Sequence, residues 1–385
     1  MIKFALPLSL MLLLPLNGCA SEAAVQANLC GQPGMWLSHD GAQGVRQADP
    51  VALLDRLAAN QVVLLGETHD SAEDHRWQLH TLAQLHARQP RLAIGFEMFP
   101  RRLQPVLERW VAGELSEEAF LRETDWNRVW GYDARFYLPL FHFARMNRLP
   151  MLALNVERSL ISAVDAHGWD AVPQAQREGV TRPAAPPAAY REMLRQVFSH
   201  HPGKRQDEAA FERFVQAQLT WDRAMAEGIA AHLKREPDAL VVGIMGAGHV
   251  RYGHGVAHQL KDLGVSRVAN LLTWDAEARC EGYQVGMADA VYVVRAPLTD
   301  PPRLGIAMEV ATGGVRIAQV TAGSVAERAG LKAGDVVVEA AGVVVTSPQV
   351  MRQTVARQAP GTWLPLKVRR DGQELEIVAR FPPAP

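Results

Sequence analysis

Four short apolar runs in the 385-residue chain end in residues that a plain core has no use for. Val62-Val63-Leu64-Leu65 leads into Gly66-Glu67-Thr68-His69-Asp70, and Leu92-Ala93-Ile94-Gly95-Phe96 leads into Glu97. Met151-Leu152-Ala153-Leu154 leads into Asn155, Glu157 and Arg158, and Leu240-Val241-Val242-Gly243-Ile244 into Gly246-Ala247-Gly248-His249. Two histidines with one or two carboxylates can hold a divalent metal, or supply a general base and an electrostatic partner. On that chemistry His69, Glu97 and His249 are candidate metal ligands, and Glu67, His69, Glu97 and His249 the candidate catalytic set of a hydrolase. Taken singly each has a plainer role: His69 as a helix cap, Glu97 as a partner of Arg101. Two Gly-x-x-His segments with Glu97 between them make a shared ligand site the stronger reading. His75 either points toward the same place or sits solvated on the following helix.

Such a site requires the four runs to lie side by side. Continuous apolar runs separated by long helical patterns indicate a buried, mostly parallel sheet in an α/β domain. In a parallel sheet all four polar ends fall at one carboxyl edge, where open α/β folds place their ligands. Val268-Ala269-Asn270-Leu271-Leu272-Thr273 and Ala290-Val291-Tyr292-Val293-Val294 are further strand candidates, and residues 72–87, 136–146 and 207–234 have helical spacing. Segments 101–143 and 180–235 exceed what crossovers need, and a helical cap over one end of the sheet is expected. Composition changes at Asp300-Pro301-Pro302, and all 13 histidines lie at or before His258, so histidine chemistry belongs to the first domain. With 40 basic and 41 acidic residues the formal charge is −1, which supplies no general attraction for nucleic acid.

The segment LLGETHDSAEDH at 64–75, Gly95-Phe96-Glu97-Met98-Phe99, LPMLALN at 149–155, Trp221-Asp222 with Met225-Ala226, and Gly246 to Val250 with Gly253 and Gly255 resemble the ChaN family. These are haem-binding, iron-uptake-associated lipoproteins of the ChaN–Tiki–erythromycin-esterase superfamily, and the resemblance covers residues 35–296. One departure is Asp74-His75, where relatives often carry a His-His pair. The resemblance implies haem as cofactor, with a role in haem or iron uptake. The alternative it implies is a metal-dependent hydrolase using the two Gly-x-x-His motifs and a divalent metal ion. Haem needs an apolar slot, cations or histidines for its propionates and an axial ligand. Trp126, Trp130, Tyr132, Phe136, Tyr137, Phe141 and Phe143 supply aromatic material, with Arg128, Arg135 and His142 nearby. Tyr132 and Tyr137 are the axial candidates, with His69, His249 and Arg135 as further haem contacts. Aromatics at helical spacing equally suit a core, and Met225 is better suited to a core than to a metal. The oligomeric state is left open, a homodimer among the options.

From residue 302 to 382 the chain resembles a small β-rich PDZ domain, through Gly323-Ser324-Val325-Ala326-Glu327-Arg328-Ala329-Gly330-Leu331-Lys332-Ala333-Gly334-Asp335 and the Val336-Val337-Val338 that follows. Ala340-Ala341-Gly342 stands where an Asn-Gly turn is usual. The resemblance implies that a peptide C-terminus adds as a strand beside Leu304, Gly305 and Ile306, with Val350 lining the pocket for its last side chain. The competing arrangement is a PDZ domain docked permanently on the first domain.

Residues 1–18 have the form of an export signal, with Lys3 and an apolar core, ending in Leu16-Asn17-Gly18-Cys19. That tetrapeptide resembles a bacterial lipobox, which implies lipidation of Cys19, and Ala20 after it favours an outer-membrane lipoprotein facing the periplasm. Membrane attachment is then through the lipid alone, with residues 19–34 as tether. Cys30 and Cys280 remain, either joined in one disulfide or free.

Overall fold

The structure, a computed structural model, describes residues 30–41, 44–199, 208–295 and 302–383. The signal at 1–18, Cys19 and the first part of the tether lie outside the described residues. The first domain is built on β1 (Trp36–Asp40), β2 (Gly44–Gln47), β3 (Val62–Glu67), β4 (Leu92–Pro100), β5 (Met151–Asn155), β6 (Leu240–Gly246), β7 (Val268–Asp275) and β8 (Ala290–Val294). They form one sheet in the order β2-β1-β8-β7-β3-β6-β4-β5. From β8 to β5 all neighbours are parallel, and β1 alone is reversed, antiparallel to both β2 and β8.

The apolar runs are continuous because both faces of the sheet are covered. Val63 and Leu65 of β3 enter one core with Ile94, Phe96, Val242 and Ile244, while Val62 and Leu64 enter the opposite core with Ala93, Val241 and Met245. The first face is layered by helices Pro50–Ala58, Ala72–Arg88 and Ala134–Met146, through residues such as Leu54, Trp77, Leu82, Tyr137 and Phe141. The second is covered by helices Glu208–Arg235 and Val256–Asp262, through Met225, Ile229, Leu233, Val256 and Leu260.

The expected cap is only partly a cap. Most of segment 101–143 packs into the first-face core, where Trp110, Phe120, Trp126, Tyr137 and Phe141 meet Phe96 and Phe99. The helix Glu208–Arg235 has 28 residues, about 42 Å of axis, against a strand length of about 23 Å for the seven residues of β6. Its C-terminal part lies on the sheet and feeds β6, so its N-terminal part overhangs the carboxyl edge. There Phe211, Val215 and Leu219 pack on Tyr190, Leu194 and Phe198 of helix Ala188–Ser199. Among the described residues no helix is long and apolar enough to cross a membrane.

The second domain is an antiparallel sheet of β9 (Ile306–Ala311), β10 (Gly314–Val320), β11 (Val336–Ala340), β12 (Val343–Val344), β13 (Trp363–Arg370) and β14 (Gln373–Arg380), with helices Val325–Arg328 and Pro348–Ala356. Its order is β14-β13-β11-β10-β9 with β12 on β11, so β9 is an edge strand. Ile317, Val337, Met351, Leu364 and Val368 form its own core. Cys30 and Cys280 are joined in a disulfide that ties the start of the described chain to the segment after β7.

Candidate functional site

Adjacency of β3, β6 and β4 brings the site together: Glu67 pairs in register with Gly246, and β4 lies on the other side of β6. Glu97, at the end of β4's apolar run, accepts the Gly246 N–H at 2.6 Å on Oε2. Gly246 is glycine for a reason of space, since a Cβ there would stand 2.9 Å from His69 Cε1 and 3.2 Å from its Nε2. The two Gly-x-x-His motifs therefore interlock: the histidine of the first lies over the glycine of the second.

His69 and His249 are held by different partners. The Nδ1 of His69 lies 2.9 Å from Glu67 Oε1, which also accepts the Tyr137 hydroxyl at 2.7 Å, while Glu67 Oε2 accepts the Gln78 amide at 2.7 Å. The Nδ1 of His249 lies 2.6 Å from Asp222 Oδ1, and its Nε2 lies 3.5 Å from Glu97 Oε1. Tyr190 donates to the other Asp222 oxygen at 2.8 Å. Burial alone would push His249 down, but the Glu97 and Asp222 carboxylates outweigh it and hold the imidazolium up to about 10. Burial would likewise raise Glu97, yet His249, His69 and the Gly246 N–H bring it down to about 2. His69 is also raised, burial being outweighed by the bond to Glu67 and the charges of Glu97 and Glu67.

A cavity of about 510 Å³ opens on this edge, within the range of small-ligand pockets. His69, Glu97 and His249 line it together with Tyr132, Trp130 and Arg158. The Trp130 and Tyr132 rings pack on His69 at centroid distances of 4.8 and 5.0 Å. Burial, then the charges of Asp70 and Glu97, raise the Tyr132 phenol above its ordinary range. Glu67 lies just behind His69 and does not line the cavity.

Several expected residues stand elsewhere. Tyr137 is fully buried behind His69, its hydroxyl occupied by Glu67 and its phenol pushed far up by burial and that carboxylate. Arg135 turns away to Asp133 at 2.8 Å, and Arg128 and Arg158 supply the cavity's cations instead. His142 pairs with Glu117 at 3.1 Å, and Met225 is core. His75 is not solvated: it is buried, with Nε2 3.1 Å from the His69 carbonyl and Nδ1 3.0 Å from Gln78 Oε1.

The candidate metal set of His69, Glu97 and His249 lines one cavity. The three side chains meet, but among the described residues no group of three or more His, Cys, Asp or Glu side chains is arranged to hold a metal ion. Glu97 Oε2 takes the Gly246 N–H, His249 Nδ1 faces Asp222, and its Nε2 lies 3.5 Å from Glu97 Oε1. Asp222, Tyr190 and Gln78 were missed as site residues. Their signal was a polar side chain set among the apolar positions of a helix, which must find a buried partner.

In the second domain Leu304 is core rather than pocket wall, its carbonyl accepting the Ala326 N–H at 2.9 Å. Gly305 takes φ +82° and Ile306 opens the edge strand β9. Val350 does not face a free groove. It lines a cavity of about 270 Å³ with Val343 of its own domain and Leu121, Trp126 and Ala134 of the first.

Fold and site together define an α/β protein with a cavity at the carboxyl edge of its sheet, followed by a PDZ domain. The chain belongs to the family described as haem-binding uptake, Tiki superfamily, ChaN, whose model matches residues 53–260, and residues 302–379 match the PDZ domain. A solved structure titled "Cofacial heme binding to ChaN of Campylobacter jejuni" is 17% identical, with a TM-score of 0.53 over 67% of this chain and 95% of that one, a likeness of fold. The second domain is similar to parts of an HtrA-type protease, AlgW with a decapeptide, at 25% identity, TM-score 0.20, over 22% of this chain and 29% of that chain. It is also similar to the HtrA3 PDZ domain bound to a phage-derived ligand, at 23% identity, TM-score 0.19, over 20% and 82%. No curated protein sequence matches the chain.

Proposed function

We propose that this chain binds haem in the cavity at the carboxyl edge of its first sheet and serves haem or iron uptake. The observation that carries this reading is the composition of one wall: a phenol, an imidazole and an indole in mutual contact, Tyr132, His69 and Trp130, with Arg158 on the same cavity. These residues fit haem. Met98, Trp130, Ile161 and Trp221 offer apolar contact, Arg128 and Arg158 suit propionates, and Tyr132, 37% exposed, has an oxygen free to become an axial ligand. When bound, the iron favours the phenolate and so offsets the raised pKa of the free phenol. His69 and His249 enter as polar neighbours of the ligand, with His249 held between Asp222 and Glu97. Haem titration followed in the Soret region tests the reading: a band that shifts on binding is expected, and a spectrum identical to free haem would overturn it.

Lipidation at Cys19 would hold this domain at the outer membrane, facing the periplasm, and the disulfide between Cys30 and Cys280 suits that oxidising compartment. The PDZ domain would recruit a protein partner by its C-terminus, along the open edge of β9. A second reading is favoured by the carboxylate behind each histidine: acid–base hydrolysis in the same cavity, with His69 as base and the His249–Glu97 pair as its charged counterpart. Turnover of model ester or peptide substrates, lost in His69→Ala, would support it, and absence of any turnover would remove it.

A further inference from the structure

The segment 130–133 has two faces. One is the cavity wall just described, where Trp130 and Tyr132 pack on His69. The other meets the PDZ domain. The Gly131 carbonyl accepts the side-chain amides of both Gln349 and Gln353, one turn apart on helix Pro348–Ala356, the second at 2.6 Å. Gly131 has φ +89°, and the Gln349 amide fills the space that a side chain there would need. Two residues on, Asp133 is buried and receives Arg357 at 3.2 and 3.3 Å besides Arg135. Burial would raise Asp133, but the bonds to Arg135 and Arg357 hold it below the ordinary range, so the pair is ionic.

Asp133 also caps helix Ala134–Met146 by accepting the Arg135 N–H at 3.0 Å, and that helix carries Tyr137 to Glu67. Trp126, whose indole donates to the Tyr132 carbonyl at 2.7 Å, forms part of the wall opposite Val350. The segment is thus held on one side by the first domain, through Trp130 and Tyr132 on His69 and the Gly131 N–H on the Trp126 carbonyl, and on the other by Gln349, Gln353 and Arg357 of the PDZ domain.

We propose that the PDZ domain clamps the ligand site: helix Pro348–Ala356 fixes the segment 130–133, and the docked state slows ligand release past Trp130 and Tyr132. This rests on the haem reading for the identity of the ligand, not for the clamp itself. The same helix borders β9, whose outer edge is unpaired among the described residues, so a peptide adding to that edge meets the clamp from its other side. Coupling of this kind is reciprocal: whatever loosens the dock lowers ligand affinity, and ligand tightens the dock.

The test uses the full chain with Gln349→Ala, Gln353→Ala and Arg357→Ala combined, the three PDZ side chains that bond Gly131 and Asp133, and Gln353→Glu as a single second variant that sets a carboxylate against the Gly131 carbonyl. Hydrogen exchange over 128–136 is measured without ligand, and haem dissociation by transfer to excess apomyoglobin. Exchange faster by tenfold or more is expected, with release faster by roughly 5-fold or more, the lower end of common coupling. Unchanged exchange in both variants overturns the clamp, and so does faster exchange with unchanged release. Should the parent bind no haem, the haem reading fails by itself and the exchange arm alone judges the clamp. Thermal unfolding of each variant separates a lost dock from a lost fold.

Discussion

Tyr132 and Tyr137 are five residues apart and have opposite fates, because the first ends a loop over the cavity and the second lies on the inner face of a helix. Tyr132→Phe is expected to weaken haem binding by tenfold or more and to shift the Soret band of what still binds. Tyr137→Phe should leave the band in place and lower stability by about 1–3 kcal/mol, the cost of taking a donor from the buried Glu67. A band altered by Tyr137→Phe and not by Tyr132→Phe would reverse the assignment. The histidine–carboxylate pair predicts a pH dependence whose sign follows from its shifts. His249 is held up to about 10 from 6.5, so its contribution is full below about pH 6.5 and is lost as pH rises through 10. Glu97 is held at about 2 from 4.5, so its contribution is full above about pH 4.5 and is lost as pH falls through 2. Denaturant unfolding of the parent and of His249→Gln should differ most near pH 5 to 6, and the gap should narrow by a few kcal/mol toward pH 10. A gap independent of pH would mean that the His249 pKa is the same in the folded and unfolded states.

The strand ends were legible as elements because each apolar run is short, continuous and followed by glycine or acid, and the parallel sheet then gathers them on one edge. What strand order adds is adjacency: β6 lies between β3 and β4, although it follows them by well over a hundred residues. That placement turns Gly246 into a contact point for His69 and Glu97, which predicts an effect at this level. Gly246→Ala must displace the His69 ring from a Cβ that would stand 2.9 Å from Cε1, at about 1–3 kcal/mol of stability, and should weaken haem binding with it. Binding unchanged in that variant would show that the His69 ring is free to move. The helix Glu208–Arg235 was legible in its period, but its overhang was not, because only the length of the sheet beneath decides which turns lie beyond the edge. Asp222 is therefore a site residue, although its helix otherwise reads as a cover for the sheet.

The two domains have separate cores, and the disulfide lies wholly within the first. Closing 250 residues between Cys30 and Cys280 restricts the unfolded chain by up to about 5 kcal/mol on the chain-entropy account. Reduction, or Cys280→Ser, is expected to lower the unfolding temperature of the first domain and leave the PDZ transition where it was. A fall in both transitions alike would mean that the domains unfold as one unit. The amino-acid sequence by itself determined the α/β class, the two Gly-x-x-His motifs and their common edge, since local apolar patterning and strand direction suffice for these, and it carried the PDZ domain through the resemblance of residues 323–338. It did not determine which tyrosine faces the cavity, that His75 and Asp222 support the two histidines, or that Val350 faces the first domain. Those depend on helix rotation and on how the domains dock, which many weak long-range contacts decide together, and no local stretch of chain encodes them.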